Sequence, residues 1–341
     1  MTRRTETGYP KSEPSNLPLA TTAASAHPGT PIFRTADDQP TIPVVPAIPT
    51  VRPILPEAEA ILLPPTDNTP NNPPDEPATR IPHLGHALLF LSLTGAILLL
   101  SQLVLLLFSH HGPHQPPTIS PRLLLFSEAF TYIASLGVAS LFFPLLWDRP
   151  FATGLQLNAP AASRNAFKFI PIGLVLSFTV QAVSSLVPMP KTIPMDEFFR
   201  NRTDIWLITL FGTLLAPLFE EIVFRGFLFP AFAIAYDWLS LPRTEIALEN
   251  WHSNNKLTPA ALVFSAILSS ICFAALHGKQ VAFTWPVLIM LFIVSLLLTL
   301  VRFRLRSVLA STVVHASYNF AVFLSAFIAT GGYRHLERMT H

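Results

Sequence analysis

Three charged side chains interrupt an otherwise apolar run, LLAPLFEEIVFRGFLF, at residues 214–229. Glu220 and Glu221 are neighbours, and Arg225 follows within the same run. Ionisable residues inside a membrane helix cost about 2.5–3.5 kcal/mol each on insertion scales and are functional candidates by default. Glu221 and Arg225, four positions apart, share a helical face and can pair. Glu220 is turned about 100° from Glu221, so it points elsewhere. Later in the chain, FAALH ends on His277, and HASYN sets His315 and Asn319 on one face of the last apolar segment. One Glu, two His and an Asn can activate water against an acyl carbon. A carboxylate withdrawn from bulk water becomes a better acceptor for a water proton near neutral pH. A neutral imidazole holds the other side of that water, or binds a metal. The His315/Asn319 face offers N–H donors where an oxyanion develops on an attacked peptide carbonyl. Arg225, held by Glu221, would fix the local field and keep Glu220 oriented. Plainer accounts stand beside these. The Glu221–Arg225 pair also reads as a structural ion pair, His277 as a helix-end residue at the interface, and His315 with Asn319 as an interhelical clasp worth about 0.6 kcal/mol.

Such residues need apolar helices to carry them, and the composition supplies these. Of 341 residues, 50% are hydrophobic and 12% charged, against roughly 25% charged in soluble domains. Lipid is therefore the expected main solvent. A net charge of +2 is too small to argue for nucleic acid. The single cysteine, Cys272, excludes a disulfide framework and reads as a packing residue in an apolar helix. Residues 1–82 hold 18 of the 34 prolines, which remove donors and fix φ, so this tail is expected to be extended or disordered. It reads as a flexible tether or as a ligand for a Pro-binding module, its partner unknown. No apolar core follows MTRRTETGYPKSEP, so the first apolar segment, from near Leu84, is expected to act as an uncleaved anchor.

From there, apolar segments alternate with short polar joints. Expected spans are 84–109, 122–147, 166–187, 205–236, 258–277, 281–301 and 307–329, each near the ~20 residues that cross ~30 Å of hydrocarbon. The fold class expected is thus an all-α, seven-span transmembrane bundle, a multi-pass protein of the cell membrane. The domains expected are the tail 1–82, N-terminal helices 83–203, a helical domain 204–324 that holds the charged and histidine-bearing spans, and a C-terminal tail 325–341. MDEFFRNRTDIW, before the fourth span, reads as an interfacial helix or loop. Arg149, Arg164, Lys168, Arg302, Arg304 and Arg306 suit the cytoplasmic side, although Lys191, Arg200 and Arg202 then fall outside. If the fourth and fifth spans form a hairpin about the loop 237–257, Glu220 and His277 lie about 24 and 28 Å from its end and can meet. His315 and Asn319 match that depth more loosely, at some 12–18 Å. Pro217 predicts a bend before Glu220, because it breaks the backbone ladder.

Glu-Glu-x-x-x-Arg at 220–225, Phe-x-x-x-His at 273–277 and His-x-x-x-Asn at 315–319 occur in that order on separate helices. Together they resemble the signature of the CAAX prenyl protease type 2 and bacteriocin-processing (CPBP, or Abi) family of intramembrane proteases, over roughly residues 204–324. The resemblance implies an all-helical intramembrane endopeptidase. Glu220 and His277 would activate water, His315 and Asn319 would hold the oxyanion, and Glu221 with Arg225 would support them. The family carries both a metalloprotease label and a metal-free glutamate mechanism. Both stay open: zinc held by Glu220, His277 and His315, or no metal. The partners implied are membrane lipid and a membrane-associated peptide or protein substrate. The polar stretch between Arg225 and Phe273 and the Pro-rich tail depart from the family pattern. Two other classes of function fit a buried carboxylate and histidines. One is a proton- or ion-coupled transporter, against which stands the lack of an inverted repeat. The other is a non-proteolytic scaffold or immunity factor. The cluster His110, His111 and His114 imitates a metal site but reads as a solvated loop.

Overall fold

The computed structural model describes residues 80–108, 119–187 and 194–339, all within one compact unit, Asn72–His341. Residues 1–79 of the Pro-rich tail, His110, His111, His114, Lys191 and residues 340–341 lie outside the described residues. No strand occurs among those described. Seven helices are long and apolar enough to cross a bilayer. They are α1 (Leu84–Phe108), α2 (Pro121–Trp147), α3 (Ala166–Ser184), α4 (Arg202–Ser240), α5 (Pro259–Leu276), α6 (Trp285–Leu305) and α7 (Val308–Ala329). The chain is a multi-pass membrane protein. Many outward-facing leucines and phenylalanines, such as Leu141, Leu145 and Phe130, remain exposed, as lipid-facing positions must.

Local chemistry sets the helix ends. Ser120, Thr258 and Ser307 cap α2, α5 and α7 by accepting from backbone N–H groups two or three residues inside. Prolines 121, 259 and 286 occupy first-turn positions where a missing N–H costs nothing. The sixth span starts at Trp285 rather than 281, because Ala282 and Phe283 take left-handed φ values of 49° and 52° that no helix accepts. The stretch before the fourth span splits in two. Pro194–Arg200 winds as a 3₁₀ turn, and Asn201 then caps α4 by accepting from Thr203 N–H at 2.8 Å. The polar joint after α4 forms a short helix of its own, Glu245–Ser253.

The fourth helix is the unusual element. It runs 39 residues and twice widens to π geometry, at Phe211–Leu215 and at Ile222–Leu228. A proline lies two residues beyond each widening, Pro217 and Pro230. Ala216 N–H bonds back to Phe211 C=O, an i→i−5 step. In that register the next residue, Pro217, should serve Gly212, but it has no N–H to give. The expected bend at Pro217 is therefore expressed as a widened turn with a spare carbonyl.

Three contacts hold the helices that matter for function. Asp237, near the end of α4, accepts from the Thr258 N–H at 2.8 Å and from its hydroxyl, fixing the α4–α5 register. Gly173 lets α3 press on α7; a Cβ there would sit 2.4 Å from Val314 C=O. An aromatic core joins α1 and α2 to α4, with Phe90 stacked on Phe227 at 4.4 Å and Phe143 beside both.

Candidate active site

Glu221 and Arg225 form the centre of a buried network. Arg225 Nη1 donates to Glu221 Oε1 at 2.8 Å, with exposures of 1% and 0%. Arg225 Nη2 reaches across to α6, donating to Ser295 C=O at 2.8 Å and to its Oγ at 2.7 Å. His315 Nδ1 donates to the same Glu221 oxygen at 3.0 Å. One carboxylate thus ties α4 to α6 and α7. The sequence reading gave Glu221 a single partner. Ser295 carries no charge and sits among apolar residues, so nothing in the sequence marks it.

Glu220 faces a different space. Its side chain is 18% exposed, as is that of His277, so this carboxylate is accessible where Glu221 is not. Its Oε2 is buried without a hydrogen-bond partner. That oxygen lies 3.8 Å from His277 Nε2 and 3.8 Å from His315 Nε2. Both imidazoles have their tautomers pinned from behind. His277 Nδ1 lies 2.8 Å from Phe273 C=O, which can only accept. His315 Nδ1 donates to Glu221. Each Nε2 therefore presents a lone pair, and three acceptor atoms converge on one spot. A single water, donating to two of them, fits gaps of this size.

A metal is the other occupant such lone pairs suggest. Imidazoles pinned through Nδ1 are typical of metal ligands, and one Glu with two His is a familiar donor set. The spacing is less favourable. Ligands about 2.1 Å from a tetrahedral zinc stand roughly 3.4 Å apart, and both gaps here are 3.8 Å. Among the described residues no group of His, Cys, Asp and Glu is set closely enough to hold a metal ion. The donor types suit a metal and the spacing is wider than a tetrahedral zinc takes; no step below passes through one.

Asn319 stands apart from this cluster. Its Nδ2 donates to Gly212 C=O at 2.7 Å, the carbonyl left over by Pro217. The sequence reading grouped His315 with Asn319 on an oxyanion face. The structure instead turns both ring nitrogens of His315 towards carboxylates, leaving Asn319 as the donor on that side. An amide has two N–H groups, so the bond to Gly212 orients the group and leaves one donor over.

Glu128 on α2 joins the site from outside the three motifs. It accepts from Tyr132 Oη at 2.8 Å. Tyr132 stacks on Phe219, the residue before Glu220, at 3.8 Å and 6°. The rule that flagged Glu220, an acid inside an apolar span, applies equally to Glu128 in FSEAFTY. Glu128 lies outside the three motifs, so their spacing does not point to it.

Fold and site together define a polytopic membrane protein with a carboxylate–imidazole centre set between its helices. Residues 202–321 match the family model described as Type II CAAX prenyl endopeptidase Rce1-like, a stretch that contains all three motifs and bears out the resemblance they carry. The match supports a CAAX-type intramembrane protease as the general class. No curated protein and no solved structure matches the chain.

Proposed function

We propose that this chain is an intramembrane endopeptidase in which Glu220, His277 and His315 hold and activate one water. The observation that carries the reading is the buried, unpartnered Oε2 of Glu220 facing two Nε2 lone pairs at 3.8 Å. Glu220 takes a proton from the water as its oxygen bonds to the scissile carbonyl carbon. The free N–H of Asn319 meets the oxyanion that forms. When the C–N bond breaks, the amine nitrogen takes the proton back from Glu220. Glu221 and Arg225 do not touch the reacting atoms; they hold His315 and the α4 backbone in place. A membrane-anchored peptide with a prenylated C-terminal Cys motif is the first substrate to try, given the family description.

The test is cleavage of a membrane-anchored peptide library by protein reconstituted in vesicles. Glu220→Gln and His277→Ala should each abolish cleavage while the protein stays folded and inserted. Near wild-type cleavage by either variant removes the water-activating assignment. A chelator should leave the wild-type rate unchanged, whereas loss of activity restored by zinc would return the metal reading.

A further inference from the structure

The end of the bundle at the α6–α7 turn is basic, and one of its cations is buried without a partner. Arg302 lies in the last turn of α6 with 6% of its surface exposed. Its Nε is enclosed and meets no acceptor. Among the described residues no carboxylate forms an ion pair with it. Arg306, four residues on, caps the same helix and adds a second positive charge to the turn. Glu221, buried within the bundle, bonds Arg225 and His315 and forms no ion pair with Arg302.

Further positive charge gathers at the same place. The N-terminus of α7 begins here; Val308 and Ala310 N–H are already paired, and the aligned peptide dipoles still place positive charge at the helix start. Ser307 Oγ donates to Asn158 C=O at 2.9 Å, and Val308 N–H donates to Gln156 C=O at 3.1 Å. These two bonds fasten the 156–165 segment, with its exposed Arg164, beside the turn.

Arg302 has its Nε enclosed and unpaired and makes no ion pair among the described residues, so an anion on the outer side of its fork is a natural completion of the site. The planar fork of Arg matches the oxygens of phosphate, and basic pockets between helix ends at the membrane surface suit phosphate head groups. We propose that the α6–α7 turn is a phosphate-binding site in which the Arg302 fork holds the phosphate oxygens, with Arg306 and the α7 N-terminus adding charge. The ligand is a phosphate group, borne by a lipid head group or free in solution.

Thermal unfolding of the full chain in a phosphate-free maltoside detergent tests this. The additions are phosphatidylglycerol, inorganic phosphate, or diacylglycerol as a phosphate-free lipid control. The unfolding temperature should rise by about 5 °C or more at additive a hundredfold above its dissociation constant. A rise with phosphatidylglycerol alone assigns the site to a head group; a rise with inorganic phosphate as well assigns it to phosphate from either source. Arg302→Met should lose at least half of the shift and Arg304→Met should keep it. Arg302→Gln, which keeps polar contacts without charge, serves if the methionine variant does not fold. A wild-type shift no larger than that given by diacylglycerol, or an equal shift in the Arg302 variants, overturns the proposal.

Discussion

Glu220 and Glu221 are adjacent in sequence and opposite in surroundings. Glu221 is enclosed, with Arg225 and His315 on one oxygen; Glu220 is partly accessible and turns an unpartnered oxygen to two imidazoles. Removing either member of the buried pair strands the other, at about 3–5 kcal/mol, whereas removing both does not. Glu221→Ala and Arg225→Ala should each lower detergent stability by that order, and the double variant by less than the sum. Additive losses in the double-mutant cycle would exclude a direct pair. This much was legible in the sequence, because four-residue spacing on a helix puts side chains on one face. The convergence of Glu220 and His277 was legible too, from counting residues back to a common hairpin. The second partner of Glu221 was not legible, because the rotation of α7 about its own axis depends on Gly173 and the close approach of α3.

At the scale of elements, apolar length fixed all seven spans to within a few residues, since backbone groups in lipid must be satisfied within a helix. Left-handed residues and π turns escaped, because periodicity cannot report them. Pro217 signalled a broken ladder but not where the freed carbonyl would go. Its use by Asn319 makes a linked pair of predictions. Asn319→Ala should lower turnover by about 10²–10³, the range for one oxyanion donor, and lower stability by about 1 kcal/mol. Pro217→Ala restores an N–H that competes for Gly212 C=O and frees the amide to turn; turnover should fall about tenfold from the lost orientation. If Asn319→Ala leaves turnover intact and only the melting temperature drops, Asn319 is a helix clasp and no donor. If Pro217→Ala is silent, orientation of the amide does not matter.

The whole molecule is larger than the stretch that resembles the protease family, and the remainder is not a passive addition. Phe90 of α1 and Phe143 of α2 fill the aromatic core against Phe219 and Phe227 of α4. Arg122 of α2 bonds Asp204 at the head of α4 at 2.8 Å. Tyr132, bonded to Glu128, stacks on Phe219 next to Glu220. A chain beginning at Arg80 should therefore keep wild-type cleavage, because every side chain named in the site lies beyond it. A chain of residues 202–341 should be unstable in detergent and inactive. Full activity from the shorter chain would show that α1 and α2 contribute nothing the site needs.

One dimension of the bundle reaches beyond the protein. Helix α5, which carries His277 at its end, has 18 residues and is about 27 Å long, whereas its neighbour α4 has 39 and extends about 58 Å. A bilayer about 30 Å thick cannot match both. A bilayer that meets both ends of the short α5 would bring its surface down towards His277. Hydrophobic mismatch of this kind thins the membrane locally, which brings bulk water closer to the carboxylate that must use it. Acyl-chain length then becomes a control on hydrolysis. Cleavage in vesicles of fourteen-carbon lipids should exceed that in eighteen-carbon lipids at equal protein insertion. Equal rates across that series would mean that water reaches Glu220 by a route lined wholly by protein.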